Sequence, residues 1–251
     1  MEKLIVQKVK VDSFSNFVEK VLSIDKFIYI KINDGNMISN CYLPERDAVK
    51  LHSVPVDEIF ETESLPDKQL KIAFLNGSHT IEALKHFAGV AVSAEIDYKL
   101  MGEEYIAISV KLISDELTVT LPCSDPSLGF MDMTADQLKV VFDTKDPVFE
   151  FEVQPFNIDN LNSLFKLEKE NEVFNVVINE SGVRFKGKTY NRIVTETPKK
   201  DSEYYVTFYK KYLNFLDKES YTVSIFDHKA VWRSLDSNTM LCIATCSEPN
   251  N

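Results

Sequence analysis

Glycine is scarce, 7 residues in 251, and none of it forms the Gly-rich loop that cradles a phosphate. The G-x-S-x-G and H-E-x-x-H patterns are also missing, and no nucleophile–base constellation replaces them, so the sequence argues against an enzyme. No apolar run reaches the roughly 18 residues that a membrane-crossing helix needs. The four cysteines, Cys41, Cys123, Cys242 and Cys246, are few for the length. The opening "MEKLIVQKVKV" alternates like a strand and does not read as a signal peptide, so reduced thiols in the cytoplasm are expected. Positive charge is in deficit as well: 28 Lys and Arg stand against 39 Asp and Glu, a net of −11. That excludes a protein that coats nucleic acid with its whole surface, and it leaves room for contact through one restricted face.

The deficit is uneven. Residues 1–125 carry a net of −7 and residues 148–251 a net of −2. The second half also contains a basic run, Arg184, Lys186, Lys188, Arg192, Lys199 and Lys200, broken by Glu196 alone.

What the chain does have is a repeat. In Ser13–Gly35 the residues Phe14, Phe17, Val18, Val21 and Leu22 make one helical stripe, with Ser13 as expected cap; a strand, Phe27–Ile32, follows and closes on Asn33-Asp34-Gly35. Phe156–Gly182 repeats the unit: Asn157 as expected cap, Ile158, Leu161, Leu164 and Phe165 as stripe, then Phe174–Ile178 and the turn Asn179-Glu180-Ser181-Gly182. Each half continues through strands, a second short helix ("SHTIEALKHFAG", capped by Ser78 and Gly89, and "YKKYLNFL") and further strands. The expected organisation is α+β and duplicated: one domain over 1–125, a connector over 126–147, where periodicity breaks down between prolines, and a second domain over 148–251.

Candidate chemistry is thin. His79, Glu82 and His86 share a helix and could converge on a metal, yet no further ligand is nominated and a solvated face is the simpler reading. Cys242 and Cys246 suit packing, and Glu61, Glu63, Glu103 and Glu104 suit solvated turns. No cofactor and no metal are expected. The polar helix faces carry more. Lys20, Lys85, Lys166, Lys169, Lys210 and Lys211 lie off the apolar stripes, and the four helical segments sum to zero charge in a chain of −11. Mixed-charge solvated helices would look the same.

This pattern resembles the DNA polymerase sliding clamps, the processivity factors with the fold of proliferating cell nuclear antigen (PCNA), and in particular the two-domain type of tailed bacteriophages. The resemblance covers nearly the whole chain and is carried by "QLKIAFLNGSHTIEALKHF", "PCSDPS", "FNIDNLNSLFKL…FNVVINESGVRFKG" and "YTVSIFDHKAVWRSLDSNTMLCIAT". It implies two helices packed on antiparallel sheets in each domain, and a homotrimeric ring of six domains around double-stranded DNA. Partners would be a DNA polymerase and a clamp loader, with no membrane. Lys20, Lys85, His86, Lys166, Lys169, Lys210 and Lys211 would face the hole and attract phosphates without reading sequence. Glu19, Glu82 and Asp159 make this lining less basic than the family's. Clamps also take short partner peptides beside the connector. Leu128, Phe130, Met131 and Met133 either form that adaptable pocket or dock the connector onto its domains. A non-enzymatic phage structural protein with a duplicated β-rich domain is the competing reading.

Overall fold

A computed structural model describes residues 2–22, 26–43, 45, 47–127, 133–196 and 203–246. The chain divides into two compact units, Met1–Leu43 with Leu51–Thr134, and Pro44–Lys50 with Ala135–Asn251.

The first unit runs β1 (Glu2–Val6), β2 (Lys8–Val9), α1 (Val11–Leu22), β3 (Ile28–Asn33), β4 (Asn36–Tyr42), β5 (Ala48–Pro55, of which Leu51 onward belongs here), a 3-10 turn (Val56–Glu58), β6 (Phe60–Glu61), β7 (Leu70–Phe74), α2 (Gly77–Lys85), β8 (Ser93–Met101), β9 (Glu104–Ile113) and β10 (Thr118–Pro122). Two antiparallel sets, β5-β4-β3-β7 and β1-β8-β9-β10, meet where β7 pairs in parallel with β9. The second unit holds α3 (Ala135–Val141), β11 (Phe149–Val153), α4 (Pro155–Phe165), β12 (Val173–Asn179), β13 (Gly182–Lys186), β14 (Asn191–Thr195), β15 (Tyr204–Tyr209), a 3-10 turn (Lys210–Phe215), β16 (Tyr221–Ile225), β17 (Lys229–Ser234) and β18 (Thr239–Ala244). Its sheets are β14-β13-β12-β15 and β11-β16-β17-β18. Eight strands of the first unit therefore pair in the same order as the eight of the second, so the α+β duplication expected from the repeat is present; the β2–β6 pair and the parallel β7–β9 pairing belong to the first unit alone among the described residues.

Local chemistry explains the elements. Asp34 and Gly35 both have positive φ, 48° and 75°, which fits the two-residue turn between the paired Asn33 and Asn36. Phe14, Phe17, Val18 and Val21 of α1 are buried, each stabilising the fold by about 1.5–3 kcal/mol relative to exposure. Phe14 meets Phe60 edge-on at 5.4 Å, and α1 also packs against α2. In the second unit Ile158 and Leu161 are buried, Leu164 and Phe165 half-buried, and Phe174 stacks with Phe185 and Phe208 beneath them.

Several local expectations change. Helix α1 begins at Val11, so Ser13 lies inside its first turn. Asn76, not Ser78, caps α2, accepting the His79 N–H at 3.1 Å. α4 begins at Pro155, and Asn157 instead turns inward, donating to the Val194 carbonyl at 3.3 Å. "YKKYLNFL" forms a 3-10 turn. The aperiodic stretch between the halves contains α3, a seven-residue helix.

Candidate nucleic-acid interface

Lys20, Lys85 and Lys166 stand at the C-terminal ends of α1, α2 and α4, where a cation is favoured by the helix dipole and by unpaired carbonyls. Lys20 is half-buried and itself bonded; Lys85 and Lys166 are exposed. His86 is the exposed C-cap residue of α2, its N–H directed at Ala83 and Leu84 carbonyls. Lys169 is exposed in the turn beyond α4. Lys211 is exposed on the 3-10 turn, its ammonium 5.4 Å from the Tyr209 ring centre and 5.1 Å from that of Tyr212.

Lys210 departs from the expectation of an outward lysine. It is 9% exposed, and its Nζ lies 3.2 Å from Glu168 Oε2 and 3.2 Å from the Glu168 carbonyl. The Phe165 and Tyr190 rings flank it. Glu168, also buried, accepts from the Thr189 backbone N–H, from Thr189 Oγ1 at 2.8 Å and from Asn171 Nδ2 at 3.2 Å. Burial alone would raise this carboxyl; the two Thr189 donors, Asn171 and Lys210 outweigh it and hold it down at about 2. A carboxylate so thoroughly occupied is a poor proton carrier and a good anchor.

The acidic residues that weakened the expected lining are not equivalent. Asp159 on α4 pairs with Lys218 at 2.9 Å, a partner no periodicity indicates. Glu19 and Glu82 are exposed. Among the described residues no three His, Cys, Asp or Glu side chains gather as metal donors, and His79, Glu82 and His86 are all exposed.

Of the connector residues, Leu128, Phe130 and Met131 lie outside the described residues. Met133 is half-buried, and its carbonyl accepts from the buried Lys31 Nζ at 2.9 Å. Further along, Lys229 Nζ donates to the carbonyls of Val140, Val141 and Asp143 at the end of α3, and Arg233 donates to Thr144. The described part of this stretch is thus held down by lysine–carbonyl bonds. In the basic run, Arg184 and Arg192 are half-buried on β13 and β14, and Lys199 and Lys200 lie outside the described residues.

No described helix is long and apolar enough to cross a membrane. The sequence matches no family model and no curated protein. The structure does resemble solved ones. A. fulgidus PCNA, in a structure with the C-terminal region of FEN-1, aligns over 100% of both chains with a TM-score of 0.65 at 12% identity. PCNA of Thermococcus kodakaraensis aligns over 97% of this chain and 99% of its own, with a TM-score of 0.63 at 13% identity. The Helicobacter pylori beta clamp, bound to a DNA ligase peptide, aligns over 100% of this chain and 68% of its own, with a TM-score of 0.64 at 12% identity. With its duplicated unit and unbroken alignment along the chain, this protein has the sliding-clamp fold of PCNA and the beta clamp.

Proposed function

We propose that the protein is a DNA sliding clamp, a non-enzymatic ring that encircles duplex DNA and tethers a polymerase to it. The observation that carries the reading is the alignment with A. fulgidus PCNA over the full length of both chains, which takes in both repeated units. With two like units per chain, three copies supply six, the count that the clamp resemblance implies for a ring. Both units offer edge strands for closing one: among the described residues β10 is paired with β9 and β14 with β13, and neither has a second strand partner. A clamp has to slide, and lysines spread over helix ends give sequence-independent attraction without base readout. Lys20, Lys85, His86, Lys166, Lys169 and Lys211 are the candidates to supply it here, while Lys210 is buried against Glu168.

Both the FEN-1 region and the ligase peptide are bound by proteins of this fold. On that analogy the chain takes a short peptide of its polymerase and of its loader, and the Leu128–Met133 stretch is the place to look. A phage origin, with action in the host cytoplasm, is what the sequence resemblance implies.

Light scattering gives the copy number, and loading onto nicked circular DNA before and after linearisation gives the topology. Three copies, retained on circles and lost from linear DNA, are expected. A monomer at micromolar concentration, or equal retention on both DNAs, overturns the reading.

A further inference from the structure

One charged stretch is not used by the clamp reading. Residues 182–195 contain Arg184, Lys186, Lys188 and Arg192 and no acidic residue, a net of +4 in a chain of −11. None of the four makes an ion pair with a described residue. Strand register places two of them on one surface. Val177 of β12 is opposite both Arg184 and Tyr205, and Arg184 is opposite Ile193, so Ile193, Arg184, Val177 and Tyr205 form one row across the sheet β14-β13-β12-β15. Lys186 and Asn175 belong to the next row. Directly opposed side chains share a face, and positions two apart along a strand return to it. The other face is the packed one, where Phe174, Phe185 and Phe208 lie against Phe165 of α4. Arg192, opposite Phe185, belongs to that side. The face turned away from α4 therefore carries Arg184 and Lys186 along β13, about 6.6 Å apart, with Lys188 exposed just past the strand. Two strands over, about 9.5 Å away, Tyr205 is 45% exposed on β15. Its hydroxyl is bonded to the exposed Glu203, which holds the orientation of the ring.

We propose that this sheet face binds single-stranded nucleic acid, with the backbone running along β13 past Arg184, Lys186 and Lys188 and a base stacked on Tyr205. A line of cations suits any polyanion. An exposed aromatic ring beside it suits an unpaired base, which a duplex keeps within its stack and an acidic peptide does not have. The inference goes beyond the clamp reading and does not depend on it. It also uses a different surface: α4, which ends at Lys166, packs on the opposite face of this sheet. A duplex at the helix ends and a single strand on the sheet could therefore be held together, as at a junction between copied and uncopied DNA.

The test is binding of a fluorescein-labelled oligothymidine by the full chain over a range of salt. Each phosphate contact on a single strand contributes about 0.7 to the slope of log affinity against log salt. Arg184→Ala with Lys186→Ala is expected to lower the slope by about 1.4, and Arg184→Lys with Lys186→Arg is expected to keep it. Tyr205→Ala is expected to weaken binding at least about fivefold while leaving the slope unchanged. All three variants are expected to keep the wild-type copy number, Trp232 emission and retention on nicked circles. A wild-type slope in the double alanine variant overturns the proposal. So does a loss confined to Lys85→Ala with Lys166→Ala, which would place the strand at the helix ends. Wild-type affinity in Tyr205→Ala makes the face a general anion surface and overturns the single-strand assignment. A changed copy number in the double alanine variant assigns the basic run to contact between copies and overturns it too. No oligothymidine binding by the wild-type chain at low salt, with retention on circles intact, overturns the proposal and leaves the clamp standing.

Discussion

Lys50, on β5, is 1% exposed, and its Nζ donates to the Phe215 carbonyl at 2.9 Å and pairs with Asp217 at 3.1 Å, while Asp217 is 24% exposed. The two ends of this ion pair therefore differ in their access to water, and removing either one should cost a different amount. Lys50→Met preserves most of the buried stem and deletes the charge. The Asp217 side chain keeps partial access to water, although Oδ2, the oxygen facing Lys50, is buried, so the loss is the donor to the Phe215 carbonyl with part of the pairing, about 2 kcal/mol. Asp217→Ala withdraws the carboxylate from an ammonium that water does not reach, which places it near the range for breaking a buried pair, about 3–4 kcal/mol. The double variant should cost less than the two singles together, because the second change removes a charge that the first had stranded. Trp232 is the sole tryptophan, is fully buried in the same unit, and packs edge-on against Tyr221, whose hydroxyl accepts the Asp217 N–H at 3.0 Å. Its fluorescence in urea thus reports this unit's unfolding. With a slope of about 1–3 kcal/mol/M, the Lys50→Met midpoint should fall by roughly 1 M and that of Asp217→Ala by roughly 2 M. Equal losses, or singles that simply add, would refute the argument from unequal solvation.

Acid should act through Glu168. Its carboxyl sits at about 2, below the roughly 4.3 of an unfolded chain, so its contribution is complete above about pH 5 and is lost as pH falls toward 2. The stability gap between wild type and Glu168→Gln, followed by Trp232 in urea, should accordingly be wide at pH 6 and nearly closed at pH 2.5; a constant gap would contradict the assignment. Two turn glycines should respond unequally to alanine. Gly35 has φ +75° and open space around an added Cβ, so only backbone strain of about 1 kcal/mol is expected. Gly182 has φ +113°, and its Cβ would strike the Thr195 carbonyl and stand 2.9 Å from Glu196 Cα, so about 3 kcal/mol is expected, and equal melting shifts would count against it. Burial pushes the Cys123 thiol up to about 12 and that of Cys242 to about 11. Mass spectrometry after brief thiol labelling at pH 8 should find both unmodified in the native chain and modified in urea.

Periodicity made much of the fold legible. The α1 stripe is buried as its spacing requires, and both turns that close the repeated unit join the strands on either side of them. Local signals erred where a non-local partner decided the outcome. Asn157 has the chemistry of a cap, yet its amide is used on Val194, 37 positions away. Lys210 reads as a polar-face residue, yet Glu168, 42 positions back, draws it inside. Lys50 is buried against Phe215, 165 positions on, and nothing in its own neighbourhood of the sequence marks it. In α3, seven residues are too few for a stripe to stand out, and Lys229 satisfies the carbonyls at its end from 88 and 89 positions away. The candidate lysines were legible as positions off the apolar stripes, but which of them stay exposed depends on these distant pairings.

The assignment of Pro44–Lys50 to the second unit has a practical consequence for anyone dividing this gene. A fragment begun at Ala135 would lack Lys50. It would also lack Asp47, whose carboxylate accepts the Tyr212 hydroxyl at 3.0 Å and whose carbonyl accepts the Ala244 N–H at 2.7 Å. The halves share one strand order, but they cannot be cloned apart at the obvious seam: a second half has to carry this seven-residue segment with it, grafted or permuted into place.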